Sequence, residues 1–208
     1  MKIKICGITR KEDALLAAKL GAWALGFIFV EKTPRYITPK NVAEIITEIS
    51  LQNTENPEKI GVFANISAEK ILEITSLTGI SKIQLHGEES PEFCEKLANL
   101  TKKEIIKAFR IQNADELHKI SEYKNKISYA LLDSFCPNQL GGTGKVFDWE
   151  IAKTAKNIGI SIILAGGLTP ENAKQAFESV NPYALDISSG VEKDKGIKDS
   201  QKLKKLFI

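Results

Sequence analysis

The sequence predicts an α/β protein, a single (β/α)8 TIM barrel in which eight parallel strands are surrounded by helices. Three observations predict it. Short apolar, β-rich runs alternate with amphipathic helical stretches along the whole chain, which is how βα units feeding a parallel sheet read. There are eight such runs, enough to close a barrel and leave no edge strand to protect. An open dinucleotide-binding sheet would instead carry a G-x-G-x-x-G turn after its first strand, and Cys6-Gly7-Ile8-Thr9 does not supply one.

The strands are expected at Lys2–Cys6, Ala24–Val30, Lys59–Phe63, Lys82–Leu85, Glu104–Ala108, Ser128–Leu132, Ser161–Leu164 and Ala184–Ile187. Helix starts are marked by side chains that can accept from the first, otherwise unbonded, backbone N–H groups. Thr9 with Glu12 reads as a capping box after the first strand. Thr38-Pro39, Ser90-Pro91 and Thr169-Pro170 each place a capping hydroxyl before a proline, whose missing N–H is not needed at the first helical position. Val42, Ile45, Ile46 and Ile49 recur at helical spacing, as do Ala173, Ala176, Phe177 and Val180, each set making one apolar stripe to lie on a sheet. Leu51–Glu58 is polar and reads as a loop. The stretch from Ser134 to Phe147 is long and glycine-rich, and long loops inside compact domains are usually functional or disordered.

At 208 residues the chain suits one domain, residues 1–208, with a large buried core. Its 29 Lys+Arg against 26 Asp+Glu alternate along the chain without forming a basic stretch, apart from a short cluster near the end, which argues against nucleic acid as a partner. No apolar run is long enough to cross a bilayer, and the N-terminus enters a strand without a signal-peptide core, so no membrane partner and a cytoplasmic location are expected. Cys6, Cys94 and Cys136 are odd in number and widely spaced, which argues against a disulfide framework. With only His86 and His118, and no paired spacing to a cysteine, no metal site is expected. A homo-oligomer is compatible with the sequence but not indicated by it.

In such barrels the reactive side chains sit at the carboxyl ends of the strands, and the opposite face serves stability. Cys6 ends the first strand, Arg35 follows the second, His86 ends the fourth, Asp133 ends the sixth, and Asp186 lies in the eighth. A free cysteine is commonly just a small buried apolar group, the reading that fits Cys94 beside Phe93 and Leu97; near cations at a polar mouth it is a competent base or nucleophile. Asp133 interrupts the apolar run Tyr129–Leu132 where the strand should emerge, as either a loop cap or an acid; partial burial raises a carboxyl pKa, as a proton donor near neutrality requires. Glycine-bearing loops at Gly141–Lys145, Ala165–Leu168 and Ser188–Gly190 would let backbone N–H groups approach an anion, and barrels often seat phosphate on loops seven and eight. GGTGK is not a Walker motif, because the required glycine and hydroxyl positions hold Gln139 and Val146.

KICGIT at Lys4–Thr9, GFIF at Gly26–Phe29, TPRYI at Thr33–Ile37, QLHGEE at Gln84–Glu89, GGTGKVFDW at Gly141–Trp149, AGGLTPENA at Ala165–Ala173 and DISSGVE at Asp186–Glu192 together resemble the phosphoribosylanthranilate isomerases, nearly end to end. The resemblance implies an Amadori rearrangement of N-(5-phosphoribosyl)anthranilate to 1-(2-carboxyphenylamino)-1-deoxyribulose 5-phosphate, a step of tryptophan biosynthesis, with no metal or organic cofactor. It places the catalytic base on Cys6 and the acid on Asp133. Arg35 would hold the anthranilate carboxylate, His86 and Asp186 would lie near the sugar or aromatic ring, and phosphate would rest around Gly142, Gly144, Gly167, Ser189 and Gly190. The loop around Gly141–Gly144 would close over the ligand. Ser134-Phe135-Cys136 departs from the family's usual smaller polar or charged residues at this point.

The alternatives are of two kinds, another phosphate-barrel enzyme and a barrel without catalysis. A histidine-pathway aminoaldose isomerase tends to use two aspartates, and Cys6 stands where one would be; indole-glycerol-phosphate synthase would want a lysine and glutamates for which no pattern is seen. A catalytically silent phosphate-binding barrel would keep the glycine loops and lose the acid or base, yet both Cys6 and Asp133 are present.

Overall fold

Strand and helix alternate from the first residues onward, and eight strands close on themselves. The computed structural model describes residues 1–52, 56–134 and 148–208. In chain order the barrel units are β1 (Ile3–Cys6), α1 (Lys11–Lys19), β2 (Ala24–Ile28), α2 (Pro39–Leu51), β3 (Glu58–Phe63), α3 (Ala68–Thr78), β4 (Lys82–Leu85) and α4 (Pro91–Thr101). There follow β5 (Glu104–Ile111), a short α5 (His118–Ser121), β6 (Tyr129–Ser134), α6 (Trp149–Ala155), β7 (Ser161–Leu164), α7 (Ala173–Val180) and β8 (Ala184–Ile187). A small antiparallel hairpin, β9 (Glu192–Asp194) with β10 (Ile197–Lys198), precedes α8 (Ser200–Leu206). The eight barrel strands pair in parallel in chain order, and β1 closes on β8 with Lys4 opposite Asp186.

All eight expected strands form, with instructive differences at their ends. β2 stops at Ile28, after which the chain turns and Ile28 bridges to Tyr36. β5 runs three residues beyond the expected Ala108, because β6 stays paired with it through Ile111 opposite Ser134, so Arg110 and Asp133 are register partners on strands. The hairpin of β9 and β10 was not anticipated, its residues being too few and too polar to read as strands.

Thr38 and Ser90 cap α2 and α4 as expected, accepting from Asn41 N at 3.3 Å and Phe93 N at 3.2 Å. Two other caps differ. The Thr9 box does not form: α1 starts at Lys11 with Arg10 at its N-cap, and the Thr9 hydroxyl donates instead to the Gly196 carbonyl at 2.5 Å, fastening the hairpin to the end of β1. Thr169-Pro170 opens a turn, not α7 itself; Asn172 Oδ1 accepts from Thr169 N at 2.8 Å and the helix begins at Ala173. The segment expected as a loop from Leu51 yields Leu51 to α2 and Glu58 to β3.

Alternation along each strand divides the core in two. One set, including Phe27, Ile83, Phe109, Leu132 and Leu185, packs under the helices. The other set, Ala24, Ile60, Ile106, Ala108, Leu131, Ile163 and Ala184 among them, fills the barrel interior. Among the described residues no helix is long and apolar enough to cross a membrane.

Candidate active site

The interior set defines which side chains reach the carboxyl end. Stepping by two from it leads to Ile28, Val62, Asp133 and Asp186, and these line, together with Cys6 and Gln84, one cleft of about 810 Å³ that is partly open to solvent. Arg35, His86, Gly167 and Ser189 line the same cleft. The structure therefore brings together seven of the expected residues: Cys6, Asp133, Arg35, His86, Asp186, Gly167 and Ser189. Gly190 lies one residue beyond Ser189 and does not line the cleft; a side chain on it would meet the Leu168 carbonyl oxygen at 1.9 Å, so its lack of one lets the loops after β7 and β8 touch. Gly142, Gly144 and Cys136, with the rest of the expected lid from residue 135 to residue 147, lie outside the described residues. Cys94 is fully buried on α4, as expected of a packing residue, and burial pushes its thiol up to about 12.

Cys6 and Asp133 are 6% and 7% exposed, and both border the cleft. Beneath Cys6 lies Lys4, wholly buried, whose Nζ donates to Asp186 Oδ2 at 2.9 Å and to Gln84 Oε1 at 2.8 Å. Burial opposes the Lys4 ammonium, but Asp186 and then a Cys6 thiolate outweigh it, and the net pKa is raised. Burial also dominates at Cys6 and pushes its thiol above the ordinary value, against the pull of Lys4 and Lys198 and with a further push from Asp186. The two shifts are compatible: with the thiol protonated, Asp186 is the anion that keeps Lys4 charged. Asp186 Oδ1 is buried and has no hydrogen-bond partner among the described residues, an acceptor left over at the floor of the cleft.

Arg35 is held by the hairpin. Its Nε and Nη2 donate to Glu192 at 2.8 and 2.7 Å, and Lys198 donates to the same carboxylate at 2.9 Å. Lys198 also donates to the Cys6 carbonyl at 2.5 Å, so one buried ammonium ties together the end of β1 and the Arg35 anchor. Burial works against the Glu192 carboxylate, yet Arg35 and Lys198 keep its pKa below the usual value.

His86 follows β4 and has its Nδ1 at 3.2 Å from Gln84 Nε2, with Nε2 at 3.7 Å from Asp133 Oδ2. Burial, then the charges of Arg110, Lys107 and Lys4, push its pKa down to about 3, so the ring is neutral. The loop bearing it is fixed from below by Lys107, which donates to the Gly87 carbonyl at 2.6 Å and pairs with Glu89 at 3.2 Å. Arg110 has two buried donors, Nε and Nη2, without hydrogen-bond partners among the described residues. Among the described residues no group of three or more His, Cys, Asp or Glu side chains is placed to hold a metal ion.

Lys4, Gln84, Arg110, Glu192 and Lys198 were not singled out from the sequence as site residues. The first two share strand parity with Cys6 and His86, and that spacing of two was a usable signal. Arg110 became legible only once β5 was seen to extend past Ala108.

Comparison with known proteins gives a consistent result. The family described as N-(5'phosphoribosyl)anthranilate (PRA) isomerase matches residues 3–208. An N-(5'-phosphoribosyl)anthranilate isomerase of Citrifermentans bemidjiense is 45% identical over 99% of this chain and 95% of its own length. The crystal structure of phosphoribosyl anthranilate isomerase from Thermotoga maritima superposes with a TM-score of 0.89 at 37% identity, covering 99% of this chain and 96% of that one. A phosphoribosyl anthranilate isomerase solved in complex with reduced 1-(o-carboxyphenylamino)-1-deoxyribulose 5-phosphate superposes at 0.86 with 36% identity, covering 100% and 96% of the two chains.

Proposed function

The chain belongs to the N-(5'-phosphoribosyl)anthranilate isomerase family, and we propose that Cys6 is the base and Asp133 the acid of its rearrangement. It is an isomerase of tryptophan biosynthesis that binds a small phosphosugar. The observation carrying the residue assignment is that Cys6 and Asp133, on strands three steps apart around the barrel, border one cleft.

In this reading Asp133 protonates the furanose ring oxygen of N-(5-phosphoribosyl)anthranilate, and the ring opens to a Schiff base. Cys6, as thiolate, then removes the proton on the neighbouring sugar carbon, and the resulting enolamine tautomerises to the ketone. The residue types suit an acid and a base that must hold opposite protonation states in one pocket at one pH. Burial favours the neutral thiol in the unliganded protein, while Lys4 and Lys198 favour the thiolate, so the base is stored protonated beside the cations that stabilise its anion.

Arg35 holds the anthranilate carboxylate through its Nη1/Nη2 edge; Nε and the other Nη2 proton are engaged by Glu192, which fixes the plane of the fork. Asp186 Oδ1 accepts from a sugar hydroxyl, and His86 donates toward the sugar. The phosphate rests on backbone donors near Gly167, Ser189 and Gly190. No metal or organic cofactor takes part, and the reaction takes place in the cytoplasm.

The test is turnover of N-(5-phosphoribosyl)anthranilate generated in situ. Cys6→Ser and Asp133→Asn should each lose most activity while keeping the far-ultraviolet spectrum and melting behaviour of the parent. Parent-like rates in either variant would remove that residue from the mechanism.

A further inference from the structure

The buried polar floor of the cleft has a direction built into it. Lys4 Nζ carries only donors, and it lies 2.8 Å from Gln84 Oε1. That contact decides which end of the Gln84 amide is oxygen and which is nitrogen. The amide nitrogen, a donor, is then the atom 3.2 Å from His86 Nδ1. A donor facing Nδ1 requires that ring nitrogen to accept, so the imidazole proton sits on Nε2. Asp186 anchors the far end of the chain, taking a second Lys4 proton at 2.9 Å and keeping the ammonium charged.

The consequence appears at the cleft. His86 Nε2 is buried, has no hydrogen-bond partner among the described residues, and stands 3.7 Å from Asp133 Oδ2, beyond a good hydrogen bond. Buried donors are nearly always paired, and the exceptions call for a functional reason. Here the donor borders the space a ligand enters, beside the acid.

We propose that Gln84 is a positioning residue: held by Lys4, it keeps His86 as the neutral Nε2–H tautomer, so that His86 donates a hydrogen bond to the substrate oxygen that Asp133 serves. Gln84 touches no reacting atom; it acts through the ring. A neutral donor beside the acid stabilises charge developing on that oxygen without competing with Asp133 as a proton source, because the imidazole N–H is far too weak an acid to be transferred. The geometry of the pair also explains why residue 84 is an amide: a carboxylate would satisfy Lys4 but turn an acceptor toward Nδ1, and an apolar side chain would leave Nδ1 unbonded and Lys4 with Asp186 alone. The proposal rests on the reading of the cleft as the site of the rearrangement, but its first readout does not depend on turnover.

The test uses protein labelled with 15N-histidine, whose ring nitrogens report directly whether each is protonated. In the parent protein His86 should show a protonated Nε2 and an unprotonated Nδ1 across neutral pH. Gln84→Glu keeps an acceptor for Lys4 and replaces the donor to the ring, so Nδ1 should gain a proton. In that variant kcat should fall roughly ten- to a hundredfold, the range expected when a buried, aligned hydrogen bond is lost. In a His86→Asn background the same substitution should cost less than about threefold, since the residue it acts through is gone.

A parent protein with the proton on Nδ1 would overturn the proposal without any variant. So would a Gln84→Glu ring with Nδ1 still unprotonated, or an equal loss of kcat in both backgrounds. If instead Cys6→Ser and Asp133→Asn retained turnover, the site assignment would fail while the tautomer result stood or fell by itself.

Discussion

Acidification should destabilise this protein through His86 by an amount the structure allows to be worked out. The ring is held neutral with its pKa pushed down to about 3 from an ordinary value of 6.5, by burial first and then by Arg110, Lys107 and Lys4. Its side chain is 20% exposed, so solvent does little to relieve the penalty. Protonation would also place a hydrogen on Nδ1 against the Gln84 amide donor, turning a hydrogen bond into a clash of donors. Because the folded pKa is depressed, the unfolded chain binds the proton first: the stability contribution is complete above about pH 6.5 and is lost as the pH falls from there toward 3. Each pH unit in that window is about 1.4 kcal/mol, so at about pH 5 the loss from this one group is on the order of 2 kcal/mol. His86→Asn is the control, since its Oδ1 can stand in for the accepting Nδ1 and it cannot titrate. Urea unfolding of both proteins at about pH 7.5 and about pH 5 gives a difference of differences in which the carboxylates cancel. The parent should lose about 2 kcal/mol more than the variant. Equal losses, within about 0.5 kcal/mol, would show that the ring protonates readily in the folded state and would refute the account of its environment.

Three further outcomes follow from the geometry. In the unliganded protein, with Cys136→Ser to remove the second candidate thiol, thiolate absorbance should develop only above the ordinary cysteine range because burial dominates at Cys6; titration near neutrality would show that Lys4 and Lys198 win instead. Glu192→Gln should lower stability by roughly 3 kcal/mol, the scale for stripping the partner from a buried charge such as Lys198, and should raise KM more than it lowers kcat as Arg35 loosens; an unchanged melting temperature would contradict it. Gly190→Ala should cost about 1–3 kcal/mol and weaken inorganic phosphate binding, since a Cβ there meets backbone at Leu168 that cannot swing aside; retention of both would mean the loops separate freely.

The barrel was legible because each strand is a compact apolar run and the helices carry their own start signals at Thr38 and Ser90. Cys6, Asp133 and Asp186 were legible for a related reason: a polar residue that ends or interrupts an apolar run at the carboxyl end of a strand has few structural explanations. What remained hidden depended on distant pairing. Lys4 reads locally as the exposed half of an alternating strand, yet it is wholly buried, because Gln84, 80 residues away, and Asp186, 182 residues away, supply its acceptors. Thr9 was misread as a cap because its true acceptor, the Gly196 carbonyl, belongs to a hairpin 187 residues on. Arg110 was placed past the end of a strand whose length is set by its neighbour, not by its own residues. Local propensity carries the elements; side-chain destinations across a closed sheet are decided by register.

That register also explains how one floor can serve an acid and a base that need opposite protonation states. Lys4 lies two residues beneath Cys6 on β1, Gln84 two residues before His86 on β4, and Asp186 pairs with Lys4 across the seam where β8 meets β1. Lys4 therefore sits one layer below Cys6 with its donors committed sideways to Gln84 and Asp186, which themselves line the floor of the cleft. A floor of water would have to reorganise as charge moves from the sugar ring to the thiol; a floor of fixed dipoles does so at no such cost, and it offers less to an electrophilic Schiff base than mobile water would. The barrel's period of two does this arranging: the same alternation that fills its interior with Ile60, Ile106, Leu131 and Ile163 delivers, one layer up, the polar set that replaces solvent.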